Sequence, residues 1–239
     1  MARLLVGLPA LLGDLEKYAS RFDLVELRVG DVALPKPGTL RRWRKSVPPA
    51  FVFSVVLPAT VGELTPSPAL DAALTSSLEV ASILEARCVV LQTPAGVRPT
   101  ATNKKRLAAV FERIPREGTV RCWEPAGIWE REDVLATARL LGVQPVFDAA
   151  RDAPASGPIV YTRLRALGKS STLGAASVAR VAERLRRRRE VFVVVEGGRD
   201  ATRVKQALRA ELDKTPPRAS TATVVRPGSS TLIAEDEEQ

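Results

Sequence analysis

LEKYASRFDLVELRVGDVALPKPGTLRRWRKSVPPAFVFSVVLP, residues 15–58, sets an amphipathic helix, an apolar strand, a second helix and a second strand in immediate succession. Leu15, Tyr18, Ala19 and Phe22 recur at helical spacing and give the first segment a single apolar stripe to bury. DLVELRV and FVFSVV are near-continuous apolar runs, the pattern of parallel strands covered on both faces. Helix and strand in strict alternation predict the repeat unit of a parallel sheet.

Outward from this stretch, further apolar runs complete a set of strands at 3–8, 23–29, 51–56, 87–92, 119–123, 143–148, 158–163 and 191–196. Between them lie helical patterns, with Leu107, Val110, Phe111 and Ile114 on one, and Val178, Val181 and Leu185 on another. Val204, Ala207 and Leu208 repeat the pattern after the last strand. Ser67 followed by Pro68 starts a helix and Gly142 stops one. Residues 149–157, AARDAPASG, are too short and too rich in proline and glycine for a full helix. The fold expected is an α/β, (β/α)8 TIM-type barrel over residues 1–213 with a degenerate sixth helix, an open doubly wound sheet being the alternative. From Lys214 the pattern dissolves into a Pro/Ser/Thr-rich, acid-ended tail over 214–239.

Composition narrows the chemistry. With 239 residues, 45% of them hydrophobic and 26% charged, the chain can bury a sizeable core. It contains no histidine, which removes Ser-His-Asp and Cys-His nucleophile systems and His-bearing zinc sites. No metal and no cofactor is called for. Two cysteines, Cys88 and Cys122, are too few for a secreted disulfide framework and fit a reducing cytoplasm. They fall on neighbouring strands, read as near opposite ends, and buried packing is the role expected of both. The apolar run from Leu4 to Leu12 is far below the roughly 20 residues of a membrane span. No small-x-small cleavage site follows it, so it reads as a buried first strand, and no membrane contact is expected.

The formal charge of +9 comes from clusters at Arg41, Arg42, Arg44 and Lys45, at 104–106 and at 184–189. These lie on outer helix faces, where a charge run is ordinarily solvated surface. Such a field also attracts nucleic acid without sequence readout, or an acidic partner. Trp43 shares a helix face with Leu40 and Val47 and is expected to pack in the core.

In a barrel the functional face is built at the C-terminal ends of the strands, and here the segments after strands are long while those before them are short. Polar residues at those ends are Glu26, Arg28, Gln92, Glu124, Asp148, Arg163, Arg165 and Glu196. An ionised residue in an apolar strand is paired or functional. Glu26, Asp148 and Glu196 are the candidate acid and base groups; Arg28, Gln92, Arg163, Arg165, Lys169, Gly197 and Gly198 are the candidate ligand-binding residues. The competing role is an ion-pair layer closing the barrel end, with Arg163 against Glu26 or Glu196. Gly197–Gly198, ahead of a helix start, would let backbone amides approach an anion. The G-K-S at 168–170 is no phosphate loop, because GxxxxGK[ST] requires glycine where Arg163 stands.

Several of these segments resemble one family, the YecE-like barrels or domain of unknown function 72. FDLVELR is similar to its Phe-Asp-x-Val-Glu-Ile-Asn motif through Phe22, Asp23, Val25 and Glu26, with Arg28 where asparagine is usual. Pro35, Pro37, Trp43, Pro48, Phe51 and Phe53 match the next segment, and Leu91, Gln92 and Pro94 match Leu-x-Gln-Leu-Pro. Asp148, and Tyr161, Arg163 and Leu164, fit the sixth and seventh strands, with Arg165 replacing a histidine. The family's lysine, histidines, Glu-Arg pair and paired asparagines are absent. The resemblance spans about residues 3–212 and implies a (β/α)8 barrel with an altered polar cluster. Two functions are expected as alternatives. One is the binding, with or without catalysis, of a small anionic ligand, phosphate-bearing or sugar-like, at the strand C-terminal rim. The other is a non-catalytic protein engaging nucleic acid or an acidic partner through its basic surface.

Overall fold

The computed structural model describes residues 3–30, 35–165, 174–196 and 201–214. Its strands are β1 (Arg3–Leu8), β2 (Leu24–Arg28), β3 (Val52–Val56), β4 (Cys88–Thr93), β5 (Val120–Pro125), β6 (Gln144–Pro145), β7 (Ile159–Leu164) and β8 (Glu190–Val195). The helices are α1 (Leu15–Ala19), α2 (Pro37–Ser46), α3 (Ala59–Gly62), α4 (Pro68–Ile83), α5 (Ala101–Glu112), α6 (Arg131–Leu141), α7 (Ala175–Leu185) and α8 (Ala201–Asp213). The strands run parallel in the order β6-β5-β4-β3-β2-β1-β8-β7. A bridge from Phe147 to Thr162 brings the two ends of the sheet together. Thr162 completes that seam with its side chain, its hydroxyl donating to the Phe147 carbonyl at 2.7 Å and accepting from Ala149 N at 2.9 Å. Pro145 explains why β6 is so short, since proline cannot donate to a ladder.

No helix separates β6 from β7, as AARDAPASG leads one to expect, while the third unit carries two, α3 being a single extra turn. The start and stop signals act as read. Ser67 caps α4 by accepting from Leu70 N, and Gly142 ends α6 in the left-handed region at φ 62°. Among the described residues no helix is long and apolar enough to cross a membrane.

Side-chain alternation divides the core in two. Val25, Phe53, Val89, Leu91, Trp123 and Val193 point outward and pack against the helices, joined by Trp43. Leu5, Leu24, Val52, Val90, Phe192 and Val194 fill the barrel interior. Cys88 and Cys122 also lie in that interior, both free and fully buried. The reading that placed them near opposite ends is corrected. Cys88 pairs with Val120 and Cys122 with Val90, so the two are diagonal neighbours two positions apart. Burial, and next the neighbouring Cys122, pushes the Cys88 thiol well above its ordinary pKa.

Several arginines of the basic clusters are not merely solvated surface. Helix C-termini collect at the basal end of the barrel, where the strands begin, and leave carbonyls without intrahelical donors. Arg186 donates to Glu211 O in the last turn of α8 at 3.0 Å, while Arg44 folds back onto the turn between α2 and β3, donating to Pro48 O at 2.7 Å and Phe51 O at 3.1 Å. Arg121 joins α5 to α6 by donating to Phe111 O at 3.1 Å and to Leu141 O and Gly142 O at 2.9 Å each. Arg121, on β5, and Arg186 thus answer the negative ends of the protein's own helices. Tyr18 ties α1 to the sheet, its hydroxyl donating to Leu24 O and accepting from Leu8 N, both at 2.8 Å.

Candidate functional site

At the opposite end of the strands an arginine stands at the centre of a polar cluster. The period-two alternation of β7 directs Tyr161 and Arg163 into the barrel, and that of β2 does the same for Glu26 and Arg28. Arg163, 1% exposed, grips Glu26 with two bonds of 2.7 Å, while its Nε lies 3.2 Å from Glu124 and 3.4 Å from Glu196. The Tyr161 hydroxyl donates to Glu26 Oε1 at 2.5 Å. A carboxylate can only accept, so the Ser54 hydroxyl, 2.9 Å away, donates in turn to Tyr161. Glu26 is therefore bonded on both oxygens and fully covered.

A second tier lies above this. Arg28 Nη1 donates to Gln92 Oε1 at 2.9 Å, and Gln92 Nε2 donates to Glu124 Oε2 at 2.6 Å. Arg165 binds the other Glu124 oxygen and reaches Glu196 Oε1 at 3.4 Å. Its backbone N–H donates to Asp148 Oδ2 at 3.2 Å. Burial alone lowers the Arg163 pKa, but the Glu26 and Glu124 carboxylates outweigh it, and the guanidinium is held above its ordinary value. Tyr161 is pushed up by burial first and by Glu26 second, so it stays protonated.

A cavity of about 360 Å³ opens over the β2–β5 half of this mouth. Its polar wall is Arg28, Gln92, Thr93, Glu124, Arg165 and Glu63, and its apolar wall includes Val29, Leu57 and Pro94. Close packing of α3 shapes one side, since a methyl on Gly62 would meet Gln92 O at 2.1 Å.

The structure thus gathers most of the residues singled out from sequence, but in different places. Arg28, Gln92 and Arg165 line the cavity. Glu26 and Arg163 form the buried ion-pair floor beneath the rim. Glu196 sits at the rim with its side chain 36% exposed, and Asp148 on the loop after β6, neither lining the cavity. Lys169, Gly197 and Gly198 lie outside the described residues. Glu124 was visible as a strand-end carboxylate, yet no sequence signal distinguished it; in the fold it joins Arg163, Arg165 and Gln92 and reaches the cavity. Ser54 was recognisable only by its inward phase, and Tyr161 by that phase and by its place in the family-like seventh-strand segment. Among the described residues no group of three or more Cys, Asp or Glu is gathered to hold a metal ion; where Glu26, Glu124 and Glu196 converge, Arg163 lies between them.

A family model described as "Protein of unknown function DUF72" matches residues 7–226. A DUF72 family protein from Enterococcus faecalis has a similar structure, with a TM-score of 0.67, 18% identity, and coverage of 90% of this chain and 99% of that one. A second, from Thermotoga maritima, gives 0.60, 15%, 87% and 97%. D-psicose 3-epimerase from Clostridium cellulolyticum, solved with D-tagatose, gives 0.54, 12%, 89% and 96%, a likeness of fold alone. No curated protein matches the chain.

Proposed function

The chain belongs to the DUF72 family, and from that premise we propose that it binds a small sugar-like ligand bearing an anionic group, carboxylate or phosphate, in the mouth cavity between β2 and β5. One observation carries this reading. Of the three mouth arginines among the described residues, Arg163 is sealed and Arg165 is bound to Glu124 and Glu196. Arg28 lines the cavity with its nearest carboxylate, Glu26, 3.9 Å away. Among the described residues its guanidinium is the one left to answer a ligand's charge. Gln92 and Glu124 beside it offer donor and acceptor for hydroxyl groups, and Val29, Leu57 and Pro94 an apolar surface for a ring face.

If the site is catalytic, Glu124 in the wall and Glu196 at the rim are the carboxylates within reach. Glu26 then acts through Arg163 as a positioning group, and Asp148 orients the chain at Arg165. The fold likeness to sugar epimerases accords with this ligand class without fixing a reaction. Engagement of nucleic acid or an acidic partner through the basic surface receives less support, because Arg44, Arg121 and Arg186 are committed to backbone carbonyls.

Calorimetric titration of glucose 6-phosphate, D-glucuronate and glucose into the wild type and Arg28→Ala tests the reading. Loss of a charge-assisted bond costs about 1.5–3 kcal/mol, or roughly 10- to 150-fold in affinity. That loss is expected for the anionic sugars and not for glucose. Equal affinity of both proteins for all three sugars overturns it.

A further inference from the structure

A second cavity, of about 510 Å³, opens at the basal end, where β5, β6 and β7 begin. Arg87, Arg116 and Arg121 line it, together with Thr119, Gln144 and Ser156, and no carboxylate does. Of the acids near it, Glu190 is already shared between Arg3 and Arg87 at 3.1 Å each, and Glu117, between Arg116 and Gly118, lines the neighbouring cavity instead. Burial, and then the like charge of Arg116, lowers the Arg121 pKa. Gln144 Nε2 is buried there without a hydrogen-bond partner among the described residues. Each of these features would be relieved by an anion.

We propose that the occupant is the chain's own acidic segment, Glu235, Asp236, Glu237 and Glu238, docking across the basal cavity. Its point of departure supports this. The carbonyl of Lys214, the last described residue, accepts from Arg186 at the turn after α7. Two residues further, Arg188 donates at 2.5 Å to the carbonyl of Gly157, which lines the cavity. The chain beyond α8 therefore begins beside the basic rim. Twenty residues, 215–234, separate Lys214 from Glu235. A chain of that length reaches at most about 70 Å and would average about 25 Å as a coil, so distance does not prevent the contact. The acidic segment also lies beyond residue 226, where the family match ends. Tethering supplies an effective concentration on the order of millimolar, enough for a weak, salt-sensitive contact to be populated. The contact faces away from the mouth and stands or falls separately from the ligand proposed there.

The test uses the full chain with Gln239→Cys carrying a nitroxide label. Cys88 and Cys122 are both fully buried, so labelling is directed to the new thiol. At low salt the label is expected to broaden the amide signals of Gly118, Thr119, Gly142 and Gly157 selectively. Full-chain Glu235→Gln/Asp236→Asn/Glu237→Gln/Glu238→Gln loses that broadening, and so does the unaltered tail in about 0.5 M salt. Arg116→Ala, at an exposed position, weakens it without unfolding the barrel. Millimolar inorganic pyrophosphate displaces the tail and restores the signals. Broadening spread evenly, centred on α2 or α5, or unchanged by neutralising the tail overturns the proposal. So does equal pyrophosphate affinity with and without the tail charges, which would make the cavity an anion site that the tail does not enter.

Discussion

Arg163→Met removes the guanidinium on which the mouth is built and keeps the side-chain volume roughly constant. The charge lost is one that makes two 2.7 Å bonds to Glu26 and a third of 3.2 Å to Glu124, with Arg163 and Glu26 at 1% and 0% exposure. What remains is a covered carboxylate held by the Tyr161 hydroxyl, with Arg28 at 3.9 Å. Removing one partner of a buried pair costs about 3–5 kcal/mol, mostly as the penalty on the charge left behind. For a chain of this size each kcal/mol moves Tm by about 2–4 °C, so a fall of about 6–20 °C is expected. Glu26→Gln should cost less, about 1–3 kcal/mol, because Arg163 keeps Glu124 and has Glu196 at 3.4 Å. The double variant removes both charges and should be more stable than the sum of the single losses implies, by about 2 kcal/mol. Urea and thermal unfolding at pH 7 measure all four proteins. A loss below about 1 kcal/mol for Arg163→Met, or strict additivity in the cycle, would refute a buried, mutually dependent ion-pair floor.

Both tyrosines of the chain, Tyr18 and Tyr161, have pKa values raised, in each case first by burial. Groups raised in the folded state contribute stability that is complete below their unfolded value near 10 and is lost as pH climbs above it, at about 1.4 kcal/mol per unit for each. Alkaline titration at 295 nm should therefore show no tyrosinate until the protein unfolds, and then both together; a gradual non-cooperative rise near pH 10 would contradict the burial. Arg121→Ala leaves the carbonyls at the ends of α5 and α6 without their donor and should cost about 2–4 kcal/mol. Arg121→Lys should recover less than half, because one ammonium cannot span both helix ends, and full recovery in chemical denaturation would show that charge alone suffices. Ellman's reagent should find no reactive thiol in the native protein and two in urea, given that Cys88 and Cys122 are both wholly buried; reaction of either at the folding midpoint's foot would place it nearer the surface.

The architecture was legible because apolar content and period coincide in this chain. Short β-branched runs such as FVFSVV have the length and content of strands covered twice, and Ser67, Pro68 and Gly142 mark helix ends with residues whose backbone chemistry favours it. AARDAPASG likewise betrayed the missing helix between β6 and β7. The site was legible by phase and in part by pairing, since the expected contacts of Arg163 with Glu26 and Glu196 both form while its contact with Glu124 was not foreseen. Period two put Glu26, Arg28, Arg163 and Arg165 on one face, yet which carboxylate meets which arginine depends on the stagger of strands around the barrel, which no local pattern encodes. Hence Glu26 was read as a candidate catalytic acid although the fold covers it with Arg163 and Tyr161. Glu124 had the same strand-end signature and no sign of its place in the cavity wall. The cysteines went astray for a related reason: strands of six residues have no distant ends, so two inward positions on adjacent strands become neighbours. Nor can sequence show that Arg186 is directed at the end of α8, because that carbonyl belongs to another segment of the chain.

A crystal structure of the protein soaked with D-glucuronate tests the central claim most directly. The carboxylate should lie about 3 Å from the Arg28 guanidinium with a sugar hydroxyl on Glu124, while Arg163 keeps its grip on Glu26. Glucuronate seated instead between Asp148 and Glu196, or an empty β2–β5 cavity at saturating ligand, would contradict it.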